Sequence, residues 1–393
     1  MSRTCPPSFN EVSMDLAFDG WKAAIDGTFG YFSAVVSDRR LPWEVASDLT
    51  KWVVAMSDRK PPEWHTPHSI CLEDSVARLR DFSVAGPDRG IAPGLVLPPQ
   101  AGHDSCIVDY SPNQSQMRTV LESGMNRAYS LDWIGADAGN RDASIDDYLL
   151  SIDRAIDHIG EPVNLIGDCQ GGWLATIYAA LNPARVRSLT IAGAPIDFHG
   201  GEPIIHSALQ ALTPGGDLGF YRSLVASGGG VLKGEYMLGS FIMMQPDSEI
   251  GRQSELLLNV GDSSYVANYS HFEDWFKHTQ DIPGEFYLWI VEHLFANNEL
   301  LSGKLTIGGE TVDLARIECP VNLIAGAKDH ITPPAQVFAL AEAVSTPADQ
   351  VKQTLTTGGH LGLFMGREAL SEHWAPMLGE LASSQADQAV KAS

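Results

Sequence analysis

The sequence predicts an α/β protein: a mostly parallel sheet with helices on both faces and an inserted, mainly helical segment. Three observations point there. From residue 76 onward, short apolar runs alternate with amphipathic helical stretches, the order expected of a parallel sheet joined by crossover helices. One apolar run ends in a tight glycine-rich turn, "NLIGDCQGGW" at 164–173, and a helix follows directly. The alternation then breaks between residues 198 and 309, where glycine, methionine and aromatic residues crowd together, before a late apolar run restores it.

Residues 1–70 show weak periodicity, clustered prolines and two short helical patterns at 11–26 and 43–56, so they are expected to form an N-terminal helical extension. The strands begin with "VARLRDFSV" (76–84), which alternates polar and apolar, and "GLVLPP" (94–99), an apolar run stopped by prolines. The helix-like "SQMRTVLESG" (115–124) leads to strand "RAYSLDW" (127–133). In "SIDDYLLSIDRAIDHIG" (144–160), Ser144 and Asp147 have capping-box spacing, Ile145, Leu149, Ile152 and Ile156 share one face, and Gly160 closes the helix. Strands "PVNLIG" (162–167), "VRSLTIAGAPI" (186–196) and "CPVNLIAG" (319–326) complete the pattern. The expected organisation is a core of 71–197 with 310–385, and a cap formed by 198–309 over the carboxyl ends of the strands, where α/β sheets hold their ligands.

Acidic residues outnumber basic ones 49 to 26, for a formal charge of −23. That balance argues against nucleic acid or an anionic membrane held through phosphate contacts. No apolar run approaches the length of a membrane span, and the first residues lack a secretion-signal layout. A cytoplasmic protein is expected. The five cysteines, Cys5, Cys71, Cys106, Cys169 and Cys319, are scattered without metal-ligand spacing, so neither a disulfide framework nor a metal site is expected. Cys71, Cys106 and Cys319 are expected to be small buried hydrophobes.

Cys169 differs because Gly167-Asp168-Cys169-Gln170-Gly171 follows a strand and opens a helix. In that context the pattern is a nucleophile elbow, a strained turn that lifts the side chain off the sheet. The backbone N–H of Gln170 then faces the position where an oxyanion would form, with a second donor expected from the loop near Pro99–Ala101. A thiol nucleophile needs a base, and the base an orienting carboxylate. After the two late strands the chain offers "AGAKDHITPP" and "TTGGHLGLF", which nominate Asp329 as acid and His360 as base. Asp197, after strand 186–196, is a rival for the acid. Asp168 is expected to face away from the thiol, capping the helix or touching the adjacent loop, and His330 to point elsewhere. Order and spacing fit an α/β-hydrolase fold.

The elbow with cysteine in place of serine, "DHITP" after the acid strand, and "LDW" followed by "SIDDYLLSIDRAID" resemble polyhydroxyalkanoate synthases. The segments "AGAPID", "PGEFYLWIVEHLFANNELLSGKLTIGG" and "GGHLGLFMGREAL" look closer to intracellular polyhydroxyalkanoate depolymerases. The resemblance spans roughly residues 75–380. It implies a Cys169-His360-Asp329 triad, an acyl-cysteine intermediate, and chemistry on 3-hydroxyacyl esters or thioesters. No cofactor is implied, but CoA is an admissible substrate or acceptor. The implied partners are a polyester granule or a 3-hydroxyacyl ester, with location at the granule and a homodimer both compatible. Because the match after residue 196 shapes the cap and the histidine loop, the first expectation is a depolymerase, with a synthase as alternative. The rivals are a small-molecule thioesterase or acyltransferase, and a non-catalytic granule-binding protein. The aromatic residues Phe220, Tyr221, Phe286, Tyr287 and Trp289 are candidates to line a polyester groove, although helical core is the plainer role for each.

Overall fold

The computed structural model describes residues 29–37, 39–87, 89–201, 205, 209, 212, 213 and 216–392. The chain divides into two compact units, one of residues 1–62 with 235–279 and one of residues 63–234 with 280–393.

The larger unit is built on an eight-stranded sheet. Its strands are β1 (Ser69–Glu73), β2 (Ala77–Asp81), β3 (Gly94–Leu97), β4 (Ala128–Trp133), β5 (Val163–Asp168), β6 (Val186–Ala192), β7 (Val321–Gly326) and β8 (Val351–Thr356). Their spatial order is β1-β2-β4-β3-β5-β6-β7-β8. β2 runs antiparallel to both its neighbours, and from β4 to β8 every pairing is parallel. Every residue of β3, β4, β5 and β7 is buried. This explains why those strands are rich in apolar residues without a strict polar–apolar alternation, since a strand covered on both faces needs none.

β1 straddles residue 70, the expected end of the helical extension. It is a five-residue edge strand with exposed or half-buried side chains, and such a strand leaves little pattern to read. The helix Ile145–Ile159 forms as expected, with the Ser144 amide donating to Asp147 Oδ2 at 2.8 Å and Gly160 in the left-handed region at φ 87°. Its Ile145, Leu149, Ile152 and Ile156 are all buried.

The smaller unit unites two stretches that are far apart in the chain. Helix Pro42–Ser57, close to the predicted 43–56, packs against Pro246–Leu258 and Ser263–Phe276. Ala55, Leu256 and Tyr269 make its apolar centre, and Trp52 Nε1 donates to the Gln253 carbonyl at 2.9 Å. The N-terminal segment therefore packs with part of the 198–309 stretch. The helix expected at 11–26 lies outside the described residues. Among the described residues, no helix is long and apolar enough to cross a membrane.

Of the aromatic residues singled out in the sequence, Phe286 is buried and stacks on Tyr148 at 3.9 Å. Tyr221 and Tyr287 pack against Leu209, Leu218 and Val291. Trp289 lies 6.2 Å from Trp173, while Phe220 is 43% exposed.

Candidate active site

β5 ends at Asp168 and the next helix, Gln170–Leu181, begins two residues later. Cys169 bridges them at φ 50° and ψ −114°, a conformation that side-chain-bearing residues rarely adopt. Local strain of this kind persists only where the surroundings enforce it. Here the Cys169 amide donates to the Ala192 carbonyl at 2.8 Å and its own carbonyl accepts from the Gly172 amide at 3.0 Å. The glycines permit the approach. A β-carbon at Gly171 would lie 1.9 Å from the Leu97 carbonyl oxygen, and one at Gly167 would lie 2.4 Å from the carbonyl oxygen of Gly171. The loop after β3 thus passes against the first turn of the elbow helix, where backbone amides have no partner within the helix.

Asp329 follows β7 and His360 follows β8. Backbone bonds join their loops: the Ala327 amide donates to the Thr356 carbonyl at 2.9 Å and the Lys328 amide to the Gly358 carbonyl at 3.0 Å. The Asp329 carboxylate is buried. Its Oδ1 accepts the amides of Ile331 at 2.9 Å and Thr332 at 2.8 Å, and its Oδ2 lies 2.7 Å from His360 Nδ1. The ring stands edge-on to Phe364, 5.2 Å between centroids. Burial pushes the His360 pKa down, but the charge of Asp329, the charge of Cys169 and hydrogen bonds to both outweigh it, so the imidazolium form is favoured well above the usual histidine range. The ring is therefore bonded to Asp329 and lies within the electrostatic reach of Cys169.

The rival acid is occupied elsewhere. Asp197 Oδ1 accepts from Asn298 Nδ2 at 2.7 Å and from the His199 amide at 3.1 Å. His330 is exposed. Asp168 does not cap the elbow helix, whose N-cap is Cys169. It is wholly buried, with Oδ1 accepting from Gln116 Nε2 at 3.2 Å. Its Oδ2 and Gln116 Oε1 have no partner. Burial raises the Asp168 pKa to about 8, against the lowering influence of Gln116 and His360. A neutral carboxyl there brings an O–H donor to a place that holds two unfilled acceptors. The sequence offers no sign of this pairing, because Gln116 reaches Asp168 across 52 residues of chain.

The four described cysteines are free, with Cys106 buried and the others half-buried. Burial pushes the thiols of Cys71, Cys106 and Cys319 up, that of Cys319 to about 11. These three are protonated and inert at neutral pH.

A family model described as "Protein of unknown function (DUF3141)" matches residues 75–373. The chain is similar to the poly(3-hydroxyalkanoate) polymerase subunit PhaC of Allochromatium vinosum, at 30% identity over 273 residues that cover 68% of this chain and 74% of that one. It is also similar to the PhaC subunit of Haloferax mediterranei, at 28% identity over 351 residues that cover 86% of this chain and 69% of that one. A solved carboxylesterase structure from Nitrososphaera gargenis superposes with a TM-score of 0.50 over 81% of this chain and 100% of that one, at 15% identity. This likeness and the strand order above identify the α/β-hydrolase fold.

Proposed function

Since the chain belongs to the DUF3141 family and, with it, to the family of the poly(3-hydroxyalkanoate) polymerase PhaC subunits, we propose that it is an acyltransferase that moves 3-hydroxyacyl groups from CoA thioesters onto a growing polyester. Such a polymerase is the alternative reading of the sequence. The comparisons favour it over the depolymerase expected first, because these curated relatives are named polymerase subunits. The observation that carries the chemistry is the 2.7 Å contact of His360 Nδ1 with Asp329 Oδ2, with Cys169 near enough to help hold the pKa of the same ring up.

In this reading His360, oriented by Asp329, takes the proton of Cys169 and leaves a thiolate beside the imidazolium. The thiolate attacks the thioester carbonyl, and the oxyanion forms against the Gln170 amide. The carbon–sulfur bond to CoA breaks as the acyl-cysteine forms, and the departing CoA sulfur takes the proton from His360. Neutral His360 then removes the proton of a chain-end hydroxyl, which attacks the acyl-cysteine. Cys169 leaves as thiolate and the ion pair is restored. A thiol nucleophile suits this cycle because thiolates leave more readily than alkoxides, so exchange between CoA and Cys169 is reversible and passage onto the chain-end hydroxyl runs downhill.

The test is incubation with 3-hydroxybutyryl-CoA, following CoA release together with the intact mass of the protein, beside Cys169→Ala. Release of CoA with one acyl group on the wild type and none on the variant supports the reading. No acylation, combined with release of hydroxyacids from amorphous poly(3-hydroxybutyrate) by the wild type, would return the assignment to a depolymerase.

A further inference from the structure

A small cavity sits where the loop after β3 meets the first turn of the elbow helix. Gln100, Trp133, Gln170, Gly171, Trp173, Leu174 and Phe286 line it, and it has room for one water-sized group. Its walls are almost entirely aromatic and apolar. Two atoms break that pattern: the side-chain oxygens of Gln100 and Gln170 are both buried and both without a partner. Gln100 is only 6% exposed. A buried amide oxygen left unpaired carries its full desolvation cost, so each requires a donor.

Two of the neighbouring donors are already committed. Gln100 Nε2 donates to the Tyr148 hydroxyl at 2.7 Å, and Trp133 Nε1 donates to the Pro98 carbonyl at 2.8 Å. Those two bonds fix the wall and satisfy neither amide oxygen. An O–H group fits, because it can donate to either unpartnered oxygen. A hydroxyl suits the pair particularly well, because it donates and accepts at once. The Gln100 amide can also turn over without losing Tyr148, whose hydroxyl can donate as well as accept. One amide oxygen-in and the other nitrogen-in would then hold a hydroxyl on both sides.

The position gives this chemistry a purpose. Gln170 is the residue after Cys169, and Gly171 packs against the β3 loop that carries Gln100. A hydroxyl two carbons from a carbonyl bound at Cys169 is within a few ångströms of this turn. We infer that Gln100 and Gln170 form a hydroxyl-binding subsite that selects acyl groups bearing a 3-hydroxyl over the plain acyl chain. The inference rests on the acyltransferase reading above and adds the residues that set its substrate preference. Sites built to hydrogen-bond a substrate hydroxyl reject the analogue that lacks it far more strongly than apolar pockets reject an extra group.

The test compares acylation of Cys169 by 3-hydroxybutyryl-CoA and by butyryl-CoA in single-turnover reactions, followed by CoA release. The wild type is expected to favour the hydroxy substrate at least about tenfold in kcat/KM. Gln100→Met and Gln170→Met, made separately so that poor folding of one leaves the other informative, are expected to pull that ratio toward one. Restoring an amide of another length, Gln100→Asn, is expected to recover part of the preference. Equal reaction of the two esters with the wild type would overturn the subsite and make the cavity a water site only. A preference that survives in both methionine variants would also overturn it, because the hydroxyl would then be read elsewhere. Failure of both esters to acylate the wild type would instead refute the acyltransferase reading itself.

Discussion

In the larger unit, four neighbouring or near-neighbouring strands are buried along their whole length, and the charged groups of the site stand at the strand ends. In the smaller unit, helices Pro42–Ser57, Pro246–Leu258 and Ser263–Phe276 enclose a carboxylate instead. Glu273 is fully buried, with Lys277 Nζ at 2.7 Å, Arg252 at 3.2 Å and Arg59 at 3.6 Å. Lys277 also reaches Glu249 at 2.8 Å, and Arg252 pairs with the same residue. An apolar parallel sheet is a stiff frame that can hold a residue in an unfavourable conformation. A helical cluster centred on a charge depends on keeping every partner in place. The two units should therefore fail differently: substitutions at the strand ends should remove chemistry while leaving the fold, and substitutions at Glu273 should weaken the fold.

The largest expected effect is at Cys169. Cys169→Ala should lower turnover of the CoA ester by at least about 10⁴-fold with an unchanged far-ultraviolet circular dichroism spectrum. His360→Ala should cost about 10²- to 10⁴-fold, as loss of a general base and acid does. Asp329→Asn sharpens the same point through pH. Because the Asp329 charge is the main influence holding the His360 pKa up, the variant should lose the ion pair at lower pH than the wild type. The alkaline limb of its rate profile should move toward neutrality; an unmoved limb would remove Asp329 from the site.

Next in size is Glu273→Gln, which leaves Arg252 and Lys277 partly uncompensated and should cost about 3 kcal/mol. Denaturant unfolding should show the loss with the midpoint of the larger unit's transition unchanged; a uniform shift of both transitions would mean that the two units do not unfold separately.

Asp168 tests the frame itself. Its proton is bound more tightly in the folded chain than in the unfolded one. Its contribution to stability is therefore complete below the ordinary carboxylate range and declines as pH rises toward about 8. Asp168→Asn keeps a neutral group beside Gln116 and removes that decline. Its melting temperature should rise relative to the wild type between pH 5 and 8, by the equivalent of a few kcal/mol at the alkaline end. The smallest effect expected is for Cys169→Gly, which should be about 1 kcal/mol more stable than Cys169→Ala, because glycine accepts φ 50° without a β-carbon clash.

The sequence discloses the frame better than the smaller unit, for physical reasons. Buried parallel strands must be mostly apolar, so 94–99, 127–133, 162–167, 186–196 and 319–326 are visible as short apolar-rich runs, and the glycines around Cys169 are visible because backbone passes where side chains cannot fit. Asp329 and His360 follow from their order after those strands. β1 escapes notice because an edge strand has little to bury. Glu273 looks like any helical glutamate, since its partners Arg59 and Arg252 come from other elements. The Gln100–Gln170 and Asp168–Gln116 pairs escape for the same reason: each is made by loops and helix ends that meet only in three dimensions.

The division of the smaller unit between residues 1–62 and 235–279 has a consequence for synthesis. Trp52 and Ala55 leave the ribosome well before Gln253, Leu256 and Tyr269 exist to cover them. At ordinary translation speeds the wait is on the order of tens of seconds. During that interval the helix Pro42–Ser57 presents Trp52 and Met56 on one face with nothing to pack against. The nascent chain is then a natural client for a holdase chaperone, and slower translation between these stretches would lengthen its exposure to aggregation.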